Sequence, residues 1–387
     1  MNLKQRDRKF LARESDPEDI QVARTDGSFI FDVRGRKYID FLAGWCVGNF
    51  GWRGEHIPAR ATRTRVDYVY PDYLYEPWVD LAELLAELTP GKLQKSFRAT
   101  GGSEAVDIAL QIAMTYTKRR TFVSIEGAYH GNTIGGVSVG SSEEREIYPN
   151  LLAKCVKLKP PLNGRAAERL ERIFKRGDVA ALIMEPISLN LGVLIPDPEF
   201  MKSAAALCRR HGALFIADEV ASGFGRTGKL FASEHYGLEP DILCVAKAVT
   251  GGFAPLGATI TTARIADALK EKASFYSTYG WHPHSVSIAI ANLRWLEKNS
   301  PRVLRHVEKL SGYFEQRLRP MARTVRIRGL AIAADLEEEK RANAVAERCR
   351  KKGLLLTTAG ACLTMFPPLT MDLMTAEAGL DIVAASI

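Results

Sequence analysis

The sequence predicts an α/β protein, with a large domain built on a mixed, mostly parallel sheet between helices and a small α+β domain. The chain has 387 residues, which suits one large and one small domain. Four short, mostly apolar runs lie at residues 121–125, 180–184, 213–217 and 241–246. Runs of this length fit strands buried on both faces, and helical segments lie between them, as in parallel sheets covered by helices.

The remaining elements follow from local patterns along the chain. Residues 29–32 and 38–41 flank the Gly35 turn and predict a hairpin. Residues 199–211 have helical spacing and are followed by Gly212, a residue typical of helix C-caps. A second helical pattern covers residues 288–319.

The chain divides into three regions on these patterns. We expect residues 1–50 to form an N-terminal segment that contributes to the small domain, and residues 51–290 to form the large domain. Residues 291–387 are expected to form the C-terminal small domain. In this tail, strand-like stretches at 325–327 and 330–334 precede a helical stretch at 343–351.

Composition excludes several classes of protein. Hydrophobic residues make up 46% and charged residues 25%, which is typical of a globular chain. The net charge of +8 is spread along the sequence, so we expect neither a nucleic acid nor a membrane as a partner. No apolar run reaches 18 residues, and the first 15 residues lack a signal-peptide core. Six scattered cysteines without metal-ligand spacing predict reduced thiols, a cytoplasmic location and no metal site.

Three of the predicted buried strands end in a charged residue. Glu185 follows the second run, Asp218 the third and Lys247 the fourth. Ligands of open parallel sheets bind at the carboxyl ends of the strands. One such charge would mean little, but three of them predict a shared site.

A phosphate cradle and an aromatic side chain are expected at the same edge. Gly101, Gly102 and Ser103 precede a helical stretch, where free backbone N–H groups bind phosphate. Tyr129 follows the first run and could stack on a flat ring. A cradle, an aromatic platform, a carboxylate and a lysine together meet the needs of pyridoxal 5'-phosphate. Its aldehyde forms a Schiff base with a lysine, and a carboxylate keeps its ring nitrogen protonated.

Two other motifs are weaker candidates for ligand binding. Residues 223–228 match GxGxxG but show no helix onset, and Leu230 stands where a P-loop needs Ser or Thr. His282 and His284 lack a third metal ligand at a suitable spacing. We therefore expect neither a dinucleotide site nor a metal site at these positions.

Several segments together resemble the class III (ornithine/ω-amino acid type) aminotransferases, pyridoxal-phosphate enzymes of fold type I. The segments are DEVASGFGRTG at 218–228, followed by Lys247, then AYHG at 128–131, TYGWHP at 278–283 and DVRGRKYID at 32–40. The resemblance extends from about residue 20 to residue 369. It implies a homodimer with the active site at the subunit interface.

The resemblance also implies a role for each candidate residue. Lys247 would hold the cofactor and move the proton, Asp218 would pair with the ring nitrogen, and Glu185 would organise the polar network. Residues implied in cofactor binding are Gly101, Gly102, Ser103, Tyr129, His130, Asp218, Val220, Lys247 and Thr278, the last reaching the partner's phosphate. Trp45 and Asn190 are implied in substrate binding.

Three positions depart from the family pattern. Members that use glutamate carry a glutamate where this chain has Asn190, and an arginine where it has Thr364. Threonine cannot replace the bidentate carboxylate contact of an arginine. The usual cofactor-facing glutamine is Ala221. These departures argue against a glutamate site of the usual kind.

The expected reaction is ping-pong transfer of an amino group from an amine or ω-amino compound to a keto or aldehyde acceptor. Amino-sugar-like compounds and β-amino acids are included among the substrates. One alternative is an aminomutase similar to the glutamate-1-semialdehyde enzymes, or a lyase or decarboxylase that uses the same cofactor. Another is a binding homologue without catalysis.

Overall fold

Seven strands form the central sheet of the protein, for which a computed structural model describes residues 1–13, 17–54, 57–62, 64–141 and 147–387. The described residues form fifteen strands in all, which are β1 (Val22–Asp26), β2 (Phe29–Asp32), β3 (Lys37–Asp40), β4 (Leu93–Ala99), β5 (Thr121–Ile125), β6 (Cys155–Leu158), β7 (Val179–Met184), β8 (Leu214–Asp218), β9 (Ile242–Val245), β10 (Gly257–Thr262), β11 (Thr324–Arg328), β12 (Ala331–Asp335), β13 (Leu354–Leu355), β14 (Thr357–Ala359) and β15 (Cys362–Met365).

The described residues also form eleven α-helices. They are α1 (Leu3–Phe10), α2 (Ala43–Cys46), α3 (Glu76–Leu88), α4 (Gly102–Thr117), α5 (Ile134–Val139), α6 (Gly164–Phe174), α7 (Pro198–His211), α8 (Ala263–Leu269), α9 (Pro283–Leu318), α10 (Glu339–Lys351) and α11 (Leu373–Ala384). None of the helices in these ranges combines the length and apolar character needed to span a bilayer.

The central sheet has the strand order β4-β10-β9-β8-β7-β5-β6. Strand β10 runs antiparallel to β4 and β9, while the other neighbouring pairs are parallel. Strands β5, β7, β8 and β9 are buried along their whole length, as their mostly apolar character predicts. The predicted mixed, mostly parallel sheet is therefore confirmed.

Helices pack on both faces of this sheet. One face of β5 and β7 buries apolar side chains against α6 and α7. The opposite face packs against α4 and α8. Successive residues of a strand point to opposite faces of the sheet, so each strand contributes apolar side chains to both helix layers.

The structure confirms two predicted local elements, the hairpin at residues 29–41 and the helix at residues 199–211. Strands β2 and β3 form the antiparallel hairpin, with Gly35 at a φ of 80° in the turn. Helix α7 begins after Asp197, whose side chain accepts the N–H of Glu199. The same helix ends at Gly212, which adopts the left-handed conformation.

The N-terminal and C-terminal parts of the chain meet in a small sheet. Strand β13 pairs in parallel with β3, so the order of that sheet is β1-β2-β3-β13. A third sheet, β11-β12-β15-β14, is antiparallel. The 36-residue helix α9 runs through residue 290 without interruption, and the division of the chain at residues 50 and 290 stays a prediction.

Candidate active site

The carboxyl ends of six strands lie at one edge of the central sheet, because every strand of the sheet except β10 runs in the same direction. Strand β4 runs in the same direction as β9, because β10 is antiparallel to both. A cavity of about 610 Å³ opens at this edge, a volume typical of a small-molecule site. It is lined by Trp45, Gly102, Ser103, Val106, Tyr129, His130, Gly131, Glu185, Asn190, Asp218, Val220, Ala221 and Lys247.

Lys247 presents its amine to this cavity from a constrained backbone. It lies two residues beyond β9 and has a φ of 47°, in the left-handed region. A turn holds it there, with the N–H of Thr250 donating to its carbonyl and Asn292 binding the carbonyl of Ala248 at 2.7 Å. Among the described residues the Nζ atom has no hydrogen-bond or ion-pair partner, and it lies 5.7 Å from the ring centre of Trp45. The amine is therefore available to a bound ligand.

Asp218 ends β8 and is held rigidly by two contacts. Its Oδ1 accepts the N–H of Val220 at 3.1 Å, and its Oδ2 lies 2.7 Å from Nδ1 of His130. Both side chains are buried, so the contact with the imidazole is shielded from water. The predicted site residue His130 thus lies against Asp218, where it orients the carboxylate.

Glu185 follows β7 and is the least satisfied carboxyl group of the cavity. Its Oε2 accepts the N–H of Leu189 at 3.3 Å, while its buried Oε1 has no partner. Burial and the nearby Asp218 carboxylate raise the pKa of Glu185 to about 8, against an ordinary value of 4.5. Glu185 therefore holds a proton at neutral pH.

The start of α4 forms a side-chain-free cradle at the end of β4. Gly101 is the N-cap, and a Cβ added to it would meet nothing within 4 Å. A Cβ on Gly102 would lie 2.8 Å from Cγ1 of Val220, so glycine alone permits this approach. Ser103 accepts the N–H of Asn132 at 3.3 Å and keeps its hydroxyl proton for another acceptor. The first N–H groups of a helix lack partners within it, which makes this cradle suitable for an anion.

Aromatic and amide side chains complete the cavity. Tyr129 is half exposed at its wall, and Val220 lies beside the cradle. The ring of Trp45 stacks on Phe366 with centres 4.8 Å apart. Asn190 donates through its Nδ2 to the carbonyl of Gly127 at 2.9 Å. Every predicted site residue except Gly101 and Thr278 lines the cavity, and Gly101 directly precedes its wall.

Thr278 lies outside the cavity of its own chain. It is exposed, between the exposed rings of Tyr276 and Tyr279. Its placement is compatible with the role that the family resemblance implies for it.

Some cavity residues were not predicted from the sequence. Gly131 packs so closely on Ser103 that a Cβ would meet its Oγ at 2.4 Å, and the glycine of the AYHG segment was an available signal. Val106 also lines the cavity, one turn into α4. No sequence signal distinguishes Val106 from the other apolar residues of that helix.

The GxGxxG stretch at 223–228 has a structural role. No helix begins within it, as the sequence indicated. Its Arg226 is fully buried and donates to the carbonyls of Leu330 and Pro367 and to Oδ1 of Asn49. The stretch therefore ties the central sheet to the N-terminal and C-terminal parts of the chain.

Pyridoxal phosphate fits the residues of this cavity. Two buried polar atoms, Oε1 of Glu185 and Nε2 of His130, have no partner in the protein, and a polar ligand would supply one. The cradle at Gly101 and Gly102 matches the phosphate, and the rigid carboxylate of Asp218 matches a protonated ring nitrogen.

Comparisons with known proteins agree on one family. The family described as "Aminotransferase class-III" matches residues 10–387. The chain is 32% identical to an adenosylmethionine-8-amino-7-oxononanoate aminotransferase of Aquifex aeolicus, over 92% of this chain and 88% of that protein. It is 30% identical to an acetylornithine aminotransferase of Archaeoglobus fulgidus, over 96% of each. Among solved structures, an amine transaminase with bound pyridoxal phosphate from an uncultivated Pseudomonas species matches with a TM-score of 0.87, at 29% identity and 97% coverage of both chains.

Proposed function

The chain belongs to the class III aminotransferases, and on this premise we propose that its amino donor is an amine or ω-amino compound rather than glutamate. It is a pyridoxal-phosphate-dependent transaminase with the fold of the type I enzymes. The acceptor is a keto or aldehyde compound. The observation that carries this proposal is that Lys247 is the one lysine or arginine among the described residues that line the cavity, so the α-carboxylate of glutamate would find no free cation there.

The residues of the cavity have different roles in the reaction. Bound pyridoxal phosphate supplies an aldehyde that condenses with amines and a ring that accepts electrons. Lys247 would hold the cofactor and afterwards move a proton at the substrate Cα. Asp218, which His130 orients, would bind the ring nitrogen. Glu185 holds a proton beside them in the buried polar network.

The cradle and the apolar groups fix the position of the cofactor. The amides at Gly102 and Ser103 receive the phosphate at the start of α4. Val220 and Tyr129 line the cavity and would contact the ring of the bound cofactor. Orientation of this kind restricts the reacting bonds to one geometry, which lowers the entropic part of the barrier.

The functional unit is proposed to be a homodimer. Five exposed tyrosines form an aromatic patch, namely Tyr68, Tyr70, Tyr73, Tyr276 and Tyr279. Ring contacts join Tyr68 to Tyr279 and Tyr70 to Tyr73. A contiguous patch of exposed aromatic side chains is typical of an interaction surface. Thr278 lies within the patch, so dimerisation through it would bring Thr278 to the partner's cradle.

Mixed dimers test this arrangement. One variant carries Lys247→Ala and the other Thr278→Ala, and each is expected to have low activity at limiting cofactor. In a mixed dimer, one of the two sites regains both residues, so mixing should restore activity. If Thr278 served its own chain instead, no site would be complete and mixing would restore nothing.

The location and the alternatives follow from the same observations. We propose a cytoplasmic location, supported by buried free thiols at Cys208, Cys244 and Cys349.

The aminomutase and lyase alternatives are not favoured, because the relatives described above carry aminotransferase names. A binding homologue without catalysis has no need for an unpaired lysine in the cavity.

The visible spectrum of the cofactor-loaded protein tests the proposed function. The protein is mixed in single turnover with simple amines, ω-amino acids, amino sugars, alanine and glutamate. Amines or ω-amino compounds should bleach the cofactor band, and glutamate should not. The Lys247→Ala variant is the control, since it should bind cofactor without this spectral change. Bleaching by glutamate alone would contradict the proposed donor class.

A further inference from the structure

Trp281 is a buried aromatic residue that is held in a strained backbone conformation. It is 2% exposed and has a φ of 60°, in the left-handed region that bulky residues rarely adopt. It directly follows the exposed turn that carries Thr278, and it precedes helix α9. Trp281 itself is not part of the wall of the active-site cavity. Strain of this kind persists only where the surrounding contacts fix the residue, and it is concentrated near functional sites.

Two hydrogen bonds hold Trp281 in this conformation. Its indole Nε1 donates to the carbonyl of Gly257 at 2.9 Å, and its own carbonyl accepts the Nε1–H of Trp78 at 2.6 Å. The ring of Trp78 stacks in turn with the guanidinium of Arg98 in β4, which lies 3.8 Å from the ring centre. Trp281 is therefore joined to β10 through Gly257 and to β4 through Trp78.

Gly257 connects Trp281 to the cradle at the start of α4. It begins β10 and pairs with Ala99, the last residue of β4. A Cβ on Gly257 would lie 2.4 Å from the carbonyl oxygen of Gly101, so the two backbones pack closely and only glycine permits the contact. The same oxygen accepts the N–H of Ala105, in the first turn of α4, at 3.0 Å. The position of Gly257 therefore determines the position of Gly101 and of the first turn of α4.

The turn that carries Thr278 is fixed against the same strand. The N–H of Gly280 donates to the carbonyl of Ser277 at 3.2 Å, which closes the turn. A Cβ on Gly280 would lie 2.8 Å from the carbonyl oxygen of Arg98 in β4. The turn and the cradle thus both pack against the end of β4, and Trp281 links the two.

We propose that Trp281 is a positioning residue for the phosphate of the cofactor. It acts through Gly257 on the cradle of its own chain and through the turn at 277–281 on Thr278. The inference rests on the proposed function, which assigns the cradle to the phosphate and Thr278 to the phosphate bound by the partner subunit. One buried indole thus fixes protein groups that bind the two phosphates of a dimer, although Trp281 lines neither the cradle nor the cavity.

The Trp281→Phe variant tests the proposal, because phenylalanine keeps an aromatic ring but lacks the N–H that binds Gly257. Titration of the cofactor-free protein should show about tenfold weaker binding of pyridoxal phosphate, since a buried carbonyl is left without its donor. Binding of pyridoxal, which has the same ring and aldehyde but no phosphate, should not change. A residue with a merely structural role would weaken the binding of both ligands equally. Trp295→Phe is the matched control, because the ring of Trp295 packs on Phe50 farther along α9 and both affinities should stay the same.

Trp78→Phe is a second variant, which leaves Trp281 unaltered and removes the other hydrogen bond that holds it. It should cause the same selective loss of affinity for pyridoxal phosphate. The double variant should lose less affinity than the product of the two single effects, because both substitutions act through Trp281.

Hydrogen exchange of the cofactor-free protein separates failure of this proposal from failure of the proposed function. In Trp281→Phe, exchange should become faster at residues 102–109, at the start of α4, and should stay unchanged in strand β7. If the unaltered protein binds no pyridoxal phosphate, the proposed function fails, while the exchange rates still decide whether Trp281 positions the cradle. Equal weakening of pyridoxal and pyridoxal phosphate binding, or unaltered exchange at the start of α4, would overturn the proposal.

Discussion

Replacing Arg226 with methionine should destabilise the whole protein more than any exposed charge change. The guanidinium is fully buried and donates at 3.0 Å to Leu330, at 2.7 Å to Pro367 and at 2.6 Å to Asn49. Methionine has a similar length but no donor. The substitution therefore leaves three buried oxygens without this partner, at the junction of three parts of the chain.

The magnitude follows from these contacts. A hydrogen bond from a charged donor contributes about 1.5–3 kcal/mol, so three of them set an upper bound of about 5–9 kcal/mol. Burial also lowers the pKa of Arg226, which shows that the buried cation carries a desolvation cost. Removal of that cost offsets part of the loss. We expect a net decrease of about 3–5 kcal/mol in the free energy of unfolding, the range measured when one partner of a buried charged cluster is removed.

Urea unfolding at one protein concentration, with cofactor present, measures this difference. Both conditions must be held constant because cofactor and partner binding shift the midpoint. Arg319→Met is the control, since the Arg319 side chain is 71% exposed and pairs with the partly exposed Glu315. It should cost about 0–1 kcal/mol. Equal destabilisation by the two substitutions would refute the argument that buried contacts of Arg226 join the parts of the chain.

Three further predictions concern the site. Because the native pKa of Glu185 is raised to about 8 from 4.5, its contribution to stability is complete below the ordinary pKa and is lost as the pH rises through about 8. Glu185→Gln should remove this loss. Without cofactor, the unfolding free energy of the variant minus that of the unaltered protein should therefore increase by about 1 kcal/mol per pH unit between pH 6 and pH 8. A difference that does not change with pH would contradict the assignment. Gly102→Ala should weaken cofactor binding about tenfold or more in a cofactor titration, because the added Cβ would lie 2.8 Å from Val220. Gly312→Ala in α9 is the control, since its Cβ would meet nothing within 4 Å and cofactor binding should not change. Tyr279→Asp should halve the mass in light scattering if the aromatic patch is the dimer interface, and an unchanged mass would exclude that surface.

Much of the central sheet could be predicted from local patterns. Strands β5, β7, β8 and β9 are mostly apolar runs of four to six residues, which is typical of strands buried on both faces. Strand β10 was not predicted because its sequence, GATITT, mixes small and polar residues. Thr259 and Thr261 are nevertheless fully buried, and the hydroxyl of Thr259 donates to the carbonyl of Ala105 at 2.6 Å. That contact joins residues far apart in sequence, so no local pattern reports it.

The identity of the site residues likewise followed from their positions at strand ends. Lys247, Asp218 and Glu185 each come directly after, or at the end of, a buried strand, and the family resemblance supported the same residues. The protonation and the orientation of these side chains could not be predicted in this way. The raised pKa of Glu185 depends on its complete burial near Asp218, and the orientation of Asp218 depends on His130. These effects arise from distances between residues on different strands.

The sequence by itself determined the α/β class, the buried strands, the family and the residues that meet at the sheet edge. Each of these follows from the order and spacing of residues along the chain. The tertiary structure decided which polar atoms remain unpaired, namely Oε1 of Glu185, Nε2 of His130 and Oδ1 of Asn190. It also decided that Arg226 is structural and that Thr278 is exposed and does not line the cavity of its own chain. Hydrogen bonding and burial are properties of neighbours in space, and folding brings those neighbours together from distant parts of the chain.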